Sequence, residues 1–172
     1  MERWLADAEA TAAAGHALGR LVAGGDVIAL VGDLGAGKTS FARGLAAGAG
    51  VPAEDVQSPT FALVHEYAGR VAVVHADLYR IERERELDEL GWDDVVARRD
   101  AAVVVEWADR FPGRLPADHL AITLVHPDDG GAGGGSDDGG AGGAGDGDGR
   151  GLTAVAHGPR AAALLAAWAR TA

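Results

Sequence analysis

Five apolar residues that run straight into a glycine loop and a lysine constrain this chain more than any other feature. Val27-Ile28-Ala29-Leu30-Val31 passes without a polar break into Gly32-Asp33-Leu34-Gly35-Ala36-Gly37-Lys38-Thr39. A continuous apolar run of that length marks a strand buried on both faces, which a parallel α/β sheet provides. The eight residues after it match the Walker A phosphate-loop pattern at every fixed position, in the strand–loop–helix context that gives the pattern meaning. A helix is expected over Lys38–Gly48, with Phe41, Leu45 and Ala46 turned inward. Gly32, Gly35 and Gly37 let successive backbone N–H groups converge on one point, and the positive end of the helix adds to the same field. These three are expected to be the glycines that matter. Lys38 then reaches the β/γ-phosphates of a nucleoside triphosphate, and the Thr39 hydroxyl is placed to ligate Mg2+.

Composition sharpens the assignment. Lys38 is the only lysine among 15 basic residues, so a compact ammonium stands where arginine is used everywhere else. The chain has no asparagine, which removes the Asn-Lys-x-Asp guanine-reading motif and favours ATP. Asp88-Glu89-Leu90-Gly91 fits the Asp-x-x-Gly of GTPases only formally, because it falls in a charged helical stretch. With no cysteine there is no disulfide or zinc-thiolate chemistry, and His65-Glu66 lacks the second histidine of a zincin helix. A net charge of −11 argues against a broad nucleic-acid surface. No leader-like N-terminus and no membrane-length apolar run is read, so a cytoplasmic protein is expected.

The rest of the chain reads as one domain over 1–172. A helix is expected from Asp7 to Val22, buried strands at Val71–Val74 and Ala102–Val105, and a charged helix from Glu82 to Leu90 with a short turn at Asp94–Arg99. His119–Val125 and Gly151–His157 alternate as half-exposed antiparallel strands, and Pro159 opens a last helix. The fold class is therefore α/β: a P-loop NTPase-like, mostly parallel sheet flanked by helices, with antiparallel C-terminal strands. Residues 128–151 hold 13 Gly and 6 Asp in 24 positions, a composition that cannot build a core and reads as a flexible loop insert. Its Asp-Gly pairs fail as a calcium loop, since Arg150 and His157 stand at ligand positions.

A cation at the phosphate loop needs a second acid, and two strand ends offer one. Glu106 follows Ala102–Val105, and Asp77 follows Val71–Val74 through His75-Ala76. Both would project at the carboxyl edge of a parallel sheet, where ligands of such folds bind.

Five blocks in order carry a resemblance: Gly32–Arg43, Ser58-Pro59-Thr60-Phe61, Asp77-Leu78-Tyr79-Arg80, Glu89-Leu90-Gly91 and Val105-Glu106-Trp107. In this order and spacing, over about residues 18 to 110, the chain resembles the TsaE (YjeE) family, the ATPase component of bacterial tRNA threonylcarbamoyladenosine biosynthesis. The resemblance implies that Gly32 to Ser40, including Asp33, Leu34 and Ala36, bind ATP, and that Thr39 with Glu106 hold Mg2+. It implies a γ-phosphate-sensing role for Thr60, a water-positioning role for Asp77 and a place beside the nucleotide for Trp107. It also implies partnership with the TsaB–TsaD complex, contact with tRNA only through that complex, and weak ATP hydrolysis by the chain alone. The hydroxyl that the family carries just before its N-terminal Leu-Gly is missing from Gly15-His16-Ala17, which precede Leu18-Gly19 here, and Thr11 lies one turn before Gly15. A small-molecule kinase with Arg98 and Arg99 in a lid, or a nucleotide-dependent binding module without turnover, are the alternative readings.

Overall fold

In the computed structural model, the described residues are 1–52, 55–56, 63–126 and 149–171. They form one seven-stranded sheet in the order β1-β7-β6-β2-β5-β4-β3. Its middle is the four parallel strands β2 (Val27–Val31), β4 (Ala72–Asp77), β5 (Ala101–Glu106) and β6 (His119–Val125). Three antiparallel strands finish the edges: β3 (Val64–Tyr67) against β4 on one side, β7 (Arg150–His157) and β1 (Glu2–Leu5) on the other. The expected mixed sheet is thus present, with one refinement. His119–Val125 is antiparallel to β7 but parallel to β2, so it belongs to the central layer as well as to the extension.

Strand alternation divides the core between two helical layers. Ile28, Leu30, Val73, Ala102 and Val104 face α1 (Ala8–Gly19), α2 (Lys38–Gly48) and α5 (Pro159–Ala169). Val27, Ala29, Val74, Ala76, Val103 and Val105 face α3 (Glu84–Glu89), α4 (Trp92–Val96) and the 3-10 turn Ala108–Arg110. The helices begin where the chain supplies a cap or a turn. Asp7 accepts the Ala10 N–H at 2.7 Å to start α1, and Gly91 in the left-handed region joins α3 to α4. That places Asp88 and Gly91 in a structural joint, with Asp88 paired to Arg114. The Gly151 expected to end the glycine tract already lies within β7, which starts at Arg150; residues 127–148 fall outside the described residues. Among the described residues no helix is long and apolar enough to cross a membrane.

The expectation that only three glycines matter is too narrow. A Cβ on Gly15, Gly19, Gly44 or Gly48 would lie 2.0–2.2 Å from a carbonyl oxygen of the facing helix, so α1 and α2 pack backbone against backbone. That contact fixes the axis of the helix that presents Lys38 and Thr39. Alanine is the better helix former by about 1 kcal/mol, but overpacking costs about 1–3 kcal/mol, and here the obstacle is backbone that cannot rotate away. Gly44→Ala is therefore expected to destabilise the protein, read as a lower midpoint in thermal or urea unfolding.

Candidate functional site

The phosphate loop leaves the carboxyl end of β2 in a conformation that depends on glycine. Gly32 has φ +144 and a Cβ there would meet the Leu124 carbonyl oxygen at 2.2 Å; Gly37 has φ +101, with Arg150 Nη1 2.5 Å and Thr11 Cγ2 3.3 Å from its would-be Cβ. At Gly32 and Gly37, torsion and space both demand glycine. Thr11 itself is fully buried and its hydroxyl donates back to the Asp7 carbonyl at 2.9 Å, so its proton is committed to the first turn of α1.

Lys38, the first residue of α2, is only 4 % exposed. Its Nζ donates to the Gly32 carbonyl at 2.6 Å and the Asp33 carbonyl at 2.8 Å, and stands 3.6 Å from the centroid of the Trp107 ring. A cation over an aromatic face is held by the ring quadrupole, more strongly where water is excluded. Burial draws the Lys38 ammonium below the usual amine range, against the pull of Glu106, Asp109, Asp77 and Asp33.

The next residue reaches across to β5. Thr39 Oγ1 donates to Glu106 Oε2 at 2.8 Å, and the other carboxylate oxygen, Oε1, lies 2.8 Å from His75 Nε2. Asp77 and Glu106 are register partners on adjacent parallel strands, so their side chains leave the same face of the sheet, the one covered by α2. Asp77 Oδ1 accepts the Tyr79 N–H at 2.9 Å. A hydroxyl and carboxylates are the hard oxygen donors that Mg2+ prefers, and they fit that ion. Among the described residues no group of three or more His, Cys, Asp or Glu side chains forms a metal cage.

Burial raises the Asp77 carboxyl above its ordinary value of 3.8; Glu106 pushes the same way, and the Tyr79 amide opposes it. The folded state therefore holds this proton more tightly than the unfolded chain does, and stability contributed by that proton is lost as pH rises through the folded value. Asp77→Asn, which keeps an acceptor for the Tyr79 amide, is expected to raise the thermal midpoint near pH 7. The advantage should shrink as pH falls toward 3.8. A midpoint at neutral pH equal to or below that of the parent would contradict the burial argument.

One cleft of about 300 Å³ collects these groups: Leu34, Gly35, Gly37, Lys38, Thr39, Ser40, Asp77, Tyr79, Glu106 and Trp107 line it. Of the other residues named from the sequence, Ala36 is buried behind the loop, while Gly32 and Asp33 take part through their carbonyls. Thr60, with Ser58 and Pro59, lies outside the described residues. Sequence reasoning passed over three neighbours of the site and took a fourth, Tyr79, as partner-facing or structural, although it lines the cleft. His75 is buried beside Glu106; Tyr79 packs against Trp107 with ring centroids 4.9 Å apart and planes inclined by 41°; His126 Nε2 lies 3.1 Å from the Gly35 carbonyl; Arg150 packs on Gly37. The signal for His75 was available, since in Val73-Val74-His75-Ala76-Asp77 it falls on the same strand face as Asp77.

The arginines considered for a kinase lid sit at the other end of the sheet. Arg98 is held by Glu66 and Asp100 just before β5 begins, about 16 Å along the strand from Glu106.

Comparison with known proteins gives a consistent answer. The family model described as "Threonylcarbamoyl adenosine biosynthesis protein TsaE" matches residues 5–132. A tRNA threonylcarbamoyladenosine biosynthesis protein TsaE from Nostoc is 39% identical over 131 residues, covering 74% of this chain and 79% of its own. The protein of that name from Treponema pallidum is 38% identical over 123 residues, covering 72% and 90%. The crystal structure of Bacillus subtilis YdiB superposes with a TM-score of 0.70 at 27% identity, over 99% of this chain and 95% of that one. Family match, sequence identity and superposition agree, and the chain belongs to the TsaE family of threonylcarbamoyladenosine biosynthesis proteins.

Proposed function

We propose that this chain binds ATP with Mg2+ and hydrolyses it, and that the hydrolysis serves N6-threonylcarbamoylation of adenosine 37 in tRNA together with a TsaB–TsaD complex in the cytoplasm. The observation that carries the reading is the convergence of Lys38, the Thr39–Glu106 pair and Asp77 on one cleft at the mouth of the phosphate loop. The loop amides and Lys38 bind and orient the phosphates, their positive charge offsetting the charge that develops on the γ-phosphoryl group. When bound, Mg2+ would neutralise β/γ-phosphate oxygens, with Thr39 and Glu106 as its protein ligands. Asp77 has one oxygen committed to the Tyr79 amide, which holds the carboxylate in place to orient water for in-line attack. Trp107 and Tyr79 wall off the loop from bulk solvent on one side.

The test is phosphate release from ATP by the chain alone and with TsaB, TsaD and tRNA, alongside formation of the modified nucleoside. Slow release alone, faster release with partners, and modification that continues beyond one cycle only when this chain is present are the expected results. ATP bound without turnover, even with the partners, would leave a nucleotide-dependent binding module instead. Phosphate transferred to an added metabolite would establish a kinase.

A further inference from the structure

His75 is a buried polar side chain outside the set that converges on the phosphate-loop cleft. It is 1 % exposed on β4, between Val73 and Asp77 on the face covered by α2, and its Nε2 lies 2.8 Å from Glu106 Oε1. The contact has a definite polarity. An ionised carboxylate only accepts, so the proton between them sits on Nε2. The other ring nitrogen, Nδ1, is buried with no hydrogen-bond partner among the described residues. A bare lone pair there is tolerable, whereas a buried N–H with no acceptor is costly, so the neutral Nε2–H tautomer suits the site.

The consequence falls on Glu106. A glutamate has three side-chain torsions, and a single hydrogen bond from Thr39 leaves its carboxylate free to swing. With Oε1 anchored by His75 and Oε2 by Thr39, both oxygens are fixed, and Oε2 is presented toward the phosphate loop. We propose that His75 is a positioning residue that locks the Glu106 carboxylate, through Nε2–H to Oε1, in the orientation that receives Mg2+ beside Thr39. The proposal rests on the nucleotide reading of the preceding subsection. It differs from a purely space-filling role for the imidazole, which any apolar side chain of similar volume would fulfil.

Two substitutions separate the roles. His75→Gln keeps an N–H near the Nε2 position, and His75→Leu fills the space without a donor; His75→Met replaces the latter if the leucine variant does not fold. ADP binding is measured by calorimetry without metal and across a Mg2+ titration, with Lys38→Ala as a control. His75→Leu should raise the Mg2+ concentration needed for half-maximal tightening of ADP by about 10- to 100-fold, the usual effect of removing an outer partner of a metal ligand. Its metal-free ADP affinity should be unchanged, and His75→Gln should stay near the parent. A leucine variant with the parent's Mg2+ requirement would overturn the proposal, as would a glutamine variant no better than leucine. Metal-free ADP binding that falls in step with the Mg2+ response would overturn it too. If Lys38→Ala binds ADP normally, the nucleotide reading itself has failed, a result distinct from the other three.

Discussion

Lys38→Arg is expected to weaken ATP binding by about 100-fold or more, close to the loss from Lys38→Ala. If charge alone mattered, arginine would serve, as it does at every other basic position of the chain. The site argues for shape. The ammonium is held between two loop carbonyls at 2.6 and 2.8 Å with the Trp107 ring 3.6 Å away, a seat for one compact group with three radiating donors. A planar guanidinium is broader and its donors lie in one plane, so it cannot occupy that seat without moving the indole or the loop. Charge-assisted hydrogen bonds contribute about 1.5–3 kcal/mol each, so losing the phosphate contacts of one lysine reaches the hundredfold scale. Calorimetric titration with ATP reads the effect directly, and an arginine variant within threefold of the parent would show that only the charge is used.

Glu106→Gln should divide binding from turnover. The amide is nearly the same size and can still meet Thr39 or His75, so the fold of β5 and of the loop should survive. What goes is a negative charge on a side chain 1 % exposed and close enough to Lys38 to act on its ammonium. Metal-free ATP should therefore bind at least as well as before, because one repulsive charge beside the phosphates has been removed. Hydrolysis with Mg2+ should fall on the order of 10²–10³-fold, the range found when one preorganised stabilising group is lost from an active site. Partner-stimulated phosphate release is the readout. Turnover within tenfold of the parent would move the metal-holding role to Asp77, the other acid at the strand ends.

Both residues were legible in the sequence, for related reasons. Glu106 ends the apolar run Ala102–Val105, where a buried parallel strand stops at the edge that binds ligands in such folds, and Lys38 closes the glycine loop that follows the run Val27–Val31. Val27–Val31, the glycine loop and Lys38–Gly48 were equally plain, because strand, turn and helix there each follow from local residues. The edge strands were not. Glu2–Leu5 and Val64–Tyr67 are four residues each, with mixed polarity, and exist as strands only because Arg150–Thr153 and Val73–Ala76 lie alongside them. The α1–α2 contact was hidden differently. Gly15, Gly19, Gly44 and Gly48 look like weak helix positions until the facing carbonyls are in place. His75 and Arg150 were missed because their importance lies in what they touch, Glu106 and Gly37, residues distant in sequence.

The indole over Lys38 also gives the protein an optical character. Of the four tryptophans, Trp92 and Trp168 are wholly buried in the core, and Trp4 lies on β1, three strands away from β2. Trp107 alone shares the cleft with the glycine loop, its π face in contact with the Lys38 ammonium. Any anion that draws the ammonium toward itself changes the electric field across that ring and, with it, the colour and yield of its emission. The chain thus carries its own voltmeter at the loop.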